Sequence, residues 1–381
     1  MEACTAVVFD LDGLLLDTER LVDEVCTAVC GRLGAEYTPA HAALGRGLRP
    51  LEACQAVVAA LSLPVTAEAL YALTDAELSL RWHEVELMPG AARLLRHLAA
   101  ARVPLALATS TPRSVLEVKM AGLGELFALF RCVVTGDDVS RGKPAPDAYS
   151  QACVGLGIAP EHCLAIEDAP SGVTSARTAG CFVLAVPSLL DRSAYVGERT
   201  TVLSSLLDIK PEVWGFPPLC DWVERTLPLC TPMRLKGAVV RGFGRGSRVL
   251  GIPTANLDVN TLGAALSHSA VTGIYAAWAS LGPLVDGAPP RVYKAVMSIG
   301  WNPFFKGSKK TVEPWLLHDF EGRDFYGEEL RLVVCGYLRP EADFVSLEAL
   351  VQQIHGDADV ARAALEVQPY ALLRGDPFLL G

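Results

Sequence analysis

The chain has 381 residues, 51% hydrophobic and 20% charged, with a formal net charge of −10. This is too long for one ordinary domain and apolar enough to fill two cores, which excludes general disorder. A net negative chain has the wrong sign for affinity built on nucleic-acid phosphates, and no run reaches the length of a membrane span.

A strand expected from residue 7 leaves no room within this sequence for a signal or transit peptide, and says nothing of a presequence ahead of it. Val7, Val8 and Phe9 read as a strand buried on both faces, with Asp10 and Asp12 at its carboxyl end and Gly13 allowing a tight turn. Ligands of open α/β sheets bind at such an end. Two acids that close repel unless a cation or a shared proton relieves them, which favours a divalent metal such as Mg²⁺. For a bare DxD, a strand ending in a polar turn would be the better reading.

Helical spacing follows over Glu19–Leu33, Pro50–Leu61 and Ala67–Trp82, a helical insert over the carboxyl end of strand one. Arg46 and Arg49 in this insert could meet a charged group of the substrate, with solvent exposure as the default expectation. The sheet resumes after Met88-Pro89-Gly90. Val103–Ala108 is a strand ending in the hydroxyl trio Thr109-Ser110-Thr111, an anion site at the start of the next helix. Cys132–Val134 is another strand, followed by Lys143 in a stiff Gly-Lys-Pro loop. Cys163–Ile166 ends in Glu167 and Asp168, and Cys181–Val186 gives one further strand. Strands ending in acids, hydroxyls and acids again, with a loop lysine between, point to phosphate chemistry on a metal.

Pro and Gly with two large aromatics, Trp214 and Phe216, interrupt the periodicity beyond residue 206. The domain boundary falls there, with the aromatics pinning the linker to a domain. From Met233 the runs are short and β-like: Arg234–Arg241, Gly273–Trp278, Val292–Ile299, Thr311–Leu317 and Leu330–Tyr337, spaced as in an antiparallel barrel or sandwich. Ser346 caps a helix that Gly356 is expected to stop, with Asp357 capping another to about Leu365. Gly242, Gly244 and Gly246 leave a loop able to wrap phosphates. Thr254 and Asn256 carry oxygens suited to Mg²⁺ or phosphate, or simply satisfy a turn. Glu313 sits between Val312 and Pro314, where an acid is costly without a task or a partner; Lys309 or Lys310 would serve as that partner. Eleven cysteines without a CxxC pair read as reduced thiols of a cytoplasmic protein.

DLDGLLLDT, ATST, GKPAPD and IEDAPSGV resemble the four motifs of the haloacid dehalogenase superfamily, in order. VRGFGRGSRVLGIPTAN, SIGWNPFFKGSKKTVEPWLLH and FVSLEALVQQIHGD resemble riboflavin kinase. The first resemblance implies Asp10 as nucleophile, Asp12 as general acid and base, and Thr109, Ser110 and Lys143 on the phosphoryl oxygens. It also implies Mg²⁺ held by Asp10, Asp12 (through its carbonyl), Glu167 and Asp168. The second implies Glu313 as the base, a Gly242–Ser247 loop over the ATP phosphates, and Thr254 and Asn256 on a second Mg²⁺ and the nucleotide. Together the two resemble the fused FMN phosphatase/riboflavin kinase family of plants and green algae.

The fold so implied is α/β plus β. A Rossmann-like haloacid dehalogenase domain occupies 1–208, with a helical cap over about 15–87. A linker follows at 209–231, then a Greek-key β-barrel kinase domain with C-terminal helices over 232–381. The partners are small molecules only: riboflavin, FMN and ATP. For the first half, another phosphate ester (a sugar phosphate or a nucleotide) or a non-catalytic flavin-binding or docking role stays open.

Overall fold

The computed structural model describes residues 3–187, 192–241, 252, 254–257, 262, 271–282, 291–301, 310–321 and 325–380. It divides into two compact units, Met1–Leu219 and Cys220–Gly381.

The first unit is laid out around β1 (Ala6–Phe9), whose four residues are all fully buried. The cap follows: α1 (Thr18–Arg32), α2 (Pro39–Gly45), α3 (Pro50–Leu61), α4 (Ala67–Ser79) and one turn of 3₁₀ helix at Trp82–Glu84. Leu21, Val25 and Val29 recur every four residues along α1. They meet Val57, Leu70, Leu78 and Trp82 in an apolar core belonging to the cap itself. Helical spacing does not reveal α2, because only Ala42 is buried in its seven residues and no periodicity develops.

The rest of the unit alternates helix and strand: α5 (Ala91–Ala100), β2 (Leu105–Ala108), α6 (Arg113–Met120), α7 (Gly124–Phe127), β3 (Cys132–Val134), α8 (Asp147–Leu156), β4 (Cys163–Glu167), α9 (Pro170–Ala179), β5 (Phe182–Ala185) and β6 (Thr200–Val202). The strands pair in parallel in the order β3-β2-β1-β4-β5-β6. The chain winds one way from β1 to β3 and the other way from β4 to β6. The ends of β1 and β4 therefore flank the point where the order switches, the ligand crevice of such sheets. Within the stretch 209–231, Ile209, Trp214 and Phe216 are buried in this unit's core, and Cys4 N–H donates to the Trp214 carbonyl at 2.9 Å.

The second unit is a six-stranded sheet of β7 (Leu227–Val240), β8 (Asn256–Leu257), β9 (Gly273–Leu281), β10 (Val292–Trp301), β11 (Lys310–Leu316) and β12 (Glu329–Arg339). Its order is β11-β10-β9-β12-β7-β8, with antiparallel pairing. A bridge from Thr254 to Trp315 and a 2.8 Å bond from Ala255 N–H to the Pro314 carbonyl join its two ends, so the sheet closes as a barrel. Ala358, Ala361 and Ala364 of α10 (Leu347–Ala364) pack against Ala276, Trp278, Val296 and Val333. A short α11 (Pro377–Leu380) ends the chain.

The expected stop at Gly356 is absent: α10 runs through it. Glycine inside a helix costs only about 1 kcal/mol, and packing on the barrel outweighs that. Asp357, expected to cap a second helix, instead accepts from Arg339 at 2.6 Å and from Gln353 at 2.9 Å.

Candidate active sites

In the first unit, Asp10 emerges from β1 with its N–H still tied to the Ile166 carbonyl of β4 at 3.0 Å. The Lys143 ammonium, buried, donates to Asp10 Oδ1 at 2.5 Å and to Glu167 Oε1 at 2.6 Å. Glu167 is saturated: Oε1 also accepts from the Tyr149 hydroxyl at 2.8 Å, and Oε2 accepts the N–H groups of Asp168 at 3.0 Å and Ala169 at 3.1 Å. Asp10, Glu167 and Asp168 each offer an oxygen within 4.8 Å of the others. Burial pushes the Asp10 carboxyl up against the pull of Lys143, with Glu167 and Asp12 adding to the rise. Burial pulls the Lys143 ammonium down, but Asp10 and Glu167 outweigh it and hold it well above its ordinary value. One ammonium against three buried acids leaves excess negative charge, and the oxygen donors are those a hard divalent cation takes.

Two glycines make the close approaches possible. Gly13 sits at φ +79°, and a Cβ there would overlap the Asp168 carboxylate; a Cβ on Gly172 would overlap Glu167.

The Asp12 carboxylate has different partners. Lys119 Nζ, on α6, donates to Oδ1 at 2.6 Å, and the Thr111 hydroxyl donates to Oδ2 at 2.6 Å. The Thr109 hydroxyl stands 3.4 Å from Oδ2 and accepts the Thr111 N–H at 3.0 Å. Burial favours a protonated Asp12, but Lys119, Thr111 and Thr18 together hold its carboxyl below the usual range. Lys119 escaped the sequence reading because a lysine in a helical run carries no mark of being buried.

Ser110 turns away from the acids, its hydroxyl donating to the Gly47 carbonyl of the cap at 3.1 Å. The expectation for Arg46 and Arg49 is overturned. Arg46 pairs with Glu19 at 3.2 Å and Asp23 at 3.1 Å. Arg49 donates to the carbonyls of Val139 at 2.7 Å and Gly136 at 3.1 Å, pinning the cap to the sheet domain. Burial lifts the Glu19 carboxyl to about 7 against the opposing charge of Arg46.

In the second unit, Glu313 lies on β11 opposite Ser298 of β10. Burial raises its carboxyl while the Thr311 side chain, bonded to it, pulls the other way. Thr254 faces Trp315 across the barrel seam, with Asn256 two residues along from the one and Glu313 two residues back from the other. Thr254, Asn256 and Glu313, far apart in the chain, thus share one seam. Gly242, Gly244 and Gly246 lie outside the described residues, as does Lys309.

The family model of haloacid dehalogenase-like hydrolases matches residues 4–180, and that of riboflavin kinase matches residues 229–365. A bifunctional riboflavin kinase/FMN phosphatase of Arabidopsis thaliana is 42% identical over 375 residues, covering 98% of this chain and 97% of its own. Human riboflavin kinase is 47% identical over 150 residues, 39% of this chain and 90% of its own. A probable pseudouridine-5′-phosphatase of Drosophila melanogaster is 39% identical over 222 residues, 57% of this chain and 96% of its own.

Proposed function

Because the chain belongs to the bifunctional riboflavin kinase/FMN phosphatase family, we propose that it runs two opposed phosphate reactions on one flavin. The second unit transfers the ATP γ-phosphate to the 5′-hydroxyl of riboflavin, giving FMN. The first hydrolyses FMN back to riboflavin. The likeness along nearly the whole chain carries this reading.

In the phosphatase unit Asp10 attacks phosphorus and forms an aspartyl-phosphate, which splits one hard displacement into two easier ones. Asp12, ionised in the free site, takes up the proton carried in by the phosphate monoanion, gives it to the departing 5′-oxygen and then takes one from the attacking water. Thr109, the backbone at Ser110, and Lys143 neutralise the phosphoryl oxygens. Glu167, with both oxygens occupied by Lys143, Tyr149 and two N–H groups, holds Lys143 in place at the rim of the metal cluster. Asp10 and Asp168, with Glu167 behind them and the Asp12 carbonyl beside them, are the residues to hold Mg²⁺. When bound, that cation supplies charge neutralisation on the phosphoryl group.

In the kinase unit Glu313 takes the proton of the riboflavin hydroxyl. Thr254 and Asn256 would hold the nucleotide phosphates and a second Mg²⁺, which would neutralise their charge; positioning and charge do most of the work. We place the domains at 1–219 and 220–381, following the two compact units, and the protein in the cytoplasm. Among the described residues no helix is long and apolar enough to cross a membrane.

Phosphate release by the full chain from FMN, set against sugar phosphates, glycerol phosphates and nucleotides, tests the phosphatase substrate. Preference for another ester would leave the kinase and overturn the FMN assignment. The assembled Asp10–Lys143–Glu167–Asp168 cluster favours catalysis over a docking role.

A further inference from the structure

In a buried corner between α6 and the cap, the Lys119 ammonium has three neighbours. It donates to Asp12 Oδ1 at 2.6 Å and to the Thr111 hydroxyl at 3.1 Å, and it lies 4.4 Å from the centre of the Trp82 ring. Three N–H bonds and three partners leave little rotational freedom. Trp82 belongs to the cap: it is buried among Leu21, Val25, Val57 and Leu78, in the 3₁₀ turn where the cap chain heads back to the sheet domain. Lys119 and Thr111 belong to the sheet domain. The side chain that must hand a proton to the leaving group is therefore gripped by an ammonium whose other face is covered by the cap.

We propose that Lys119 is the positioning residue for Asp12 and that Trp82 couples this grip to the docked cap. The argument rests on the reading of Asp12 as general acid. The two lysines divide the acids between them: Lys143 stands beside Asp10, while Lys119 stands beside Asp12. A cation held over an indole face by roughly 1–2 kcal/mol when desolvated keeps its remaining N–H bonds aimed at the carboxylate. With the cap lifted, the ring leaves, the ammonium meets water, and Asp12 is no longer fixed. The acid is thus presented only when the cap shields the site.

The test uses the full chain and the first chemical step, read as single-turnover release of the alcohol from FMN and of p-nitrophenolate from p-nitrophenyl phosphate. An alkyl alkoxide needs a proton as it leaves; p-nitrophenolate does not. Lys119→Met is expected to slow riboflavin release about 100-fold, the lower range for a lost general acid, with KM for FMN unchanged within about 3-fold and p-nitrophenolate release barely altered. Trp82→Leu is expected to slow riboflavin release about 5- to 10-fold with the same selectivity, consistent with the cation–π contribution. Lys119→Arg, which keeps a cation between Asp12 and the ring, should recover most of the rate. Asp12→Asn is run in parallel. If it fails to discriminate between the two substrates, the general-acid reading falls. If it discriminates but the Lys119 variants slow both substrates equally or neither, the positioning role alone is wrong. Should Lys119→Met not fold, Lys119→Gln, which leaves a polar group in the pocket, is read by the same comparison.

Discussion

Lys143 and Glu167 form an ion pair of 2.6 Å with side chains 2% and 1% exposed, closed off from water beneath the nucleophile. Losing one member of a buried pair typically costs about 3–5 kcal/mol when the other is left uncompensated, but Lys143 keeps its 2.5 Å bond to Asp10. Glu167→Gln is therefore expected to lower the stability of the N-terminal unit by less, about 1–3 kcal/mol, read as an earlier urea transition of that unit in the full chain. Phosphatase turnover should fall as Lys143 loses its anchor, with riboflavin phosphorylation unchanged. A stability change under about 1 kcal/mol would mean that the pair is not buried as described.

Asp10 and Glu313 lie in separate compact units. Asp10→Asn is expected to abolish phosphate release from FMN and leave riboflavin phosphorylation intact, and Glu313→Gln to do the reverse. Assaying both reactions on each variant decides it. Either substitution removing both activities would show that the sites are not independent.

The kinase rate should carry an acid limb set by Glu313. Burial raises this carboxyl above its ordinary 4.5, so its conjugate base is lost, and activity with it, as pH falls through that raised value. Thr311 opposes the rise by bonding the charged form. Thr311→Val should therefore move the limb further toward neutral pH, while substitutions remote from β11 leave it in place. The pH profile of kcat/KM for riboflavin measures this.

Gly13 turns at φ +79° with its α-carbon against Asp168. Gly13→Ala both strains the turn and drives a methyl into that carboxylate. The phosphatase should then need a higher Mg²⁺ concentration for half-maximal rate, by about 10-fold or more, as expected when a supporting contact of a metal site is lost. Titration of the metal after chelation reads the shift, and an unchanged requirement would remove Asp168 from the metal set.

The parts of the fold legible in the sequence were those with a strong local signature. Val7–Phe9 is uniformly apolar because β1 is covered on both faces, and α1 repeats Leu21, Val25 and Val29 at a helical interval. The acids at the ends of β1 and β4 stood out because carboxylates rarely follow such strands without a task. What stayed hidden depends on contacts between distant segments. Lys119 reads as an ordinary helix lysine until Asp12 and Trp82 are brought to it. Arg49 reads as exposed until the carbonyls of Gly136 and Val139 are folded against it. Gly356 reads as a stop because its intrinsic cost is local, whereas the alanines that carry α10 past it gain their packing from the barrel.

Trp214 sits in a Pro- and Gly-rich passage that composition alone marks as a linker, yet it is 5% exposed in the core that contains Phe9, with Phe216 at 6% beside it. Its carbonyl holds the N–H of Cys4, two residues before β1 begins. The segment thus fastens the start of the central strand, and removing its ring would open a cavity under that strand. Trp214→Ala in the full chain is expected to destabilise the N-terminal unit by about 3–5 kcal/mol, lowering phosphatase activity at elevated temperature while kinase activity persists. A chain ending at residue 219 should accordingly keep phosphatase activity to a higher temperature than one ending at residue 208, which lacks both aromatics. If the two truncations unfold together, and Trp214→Ala shifts the transition by less than about 0.5 kcal/mol, the passage is a free tether and the domain ends before it.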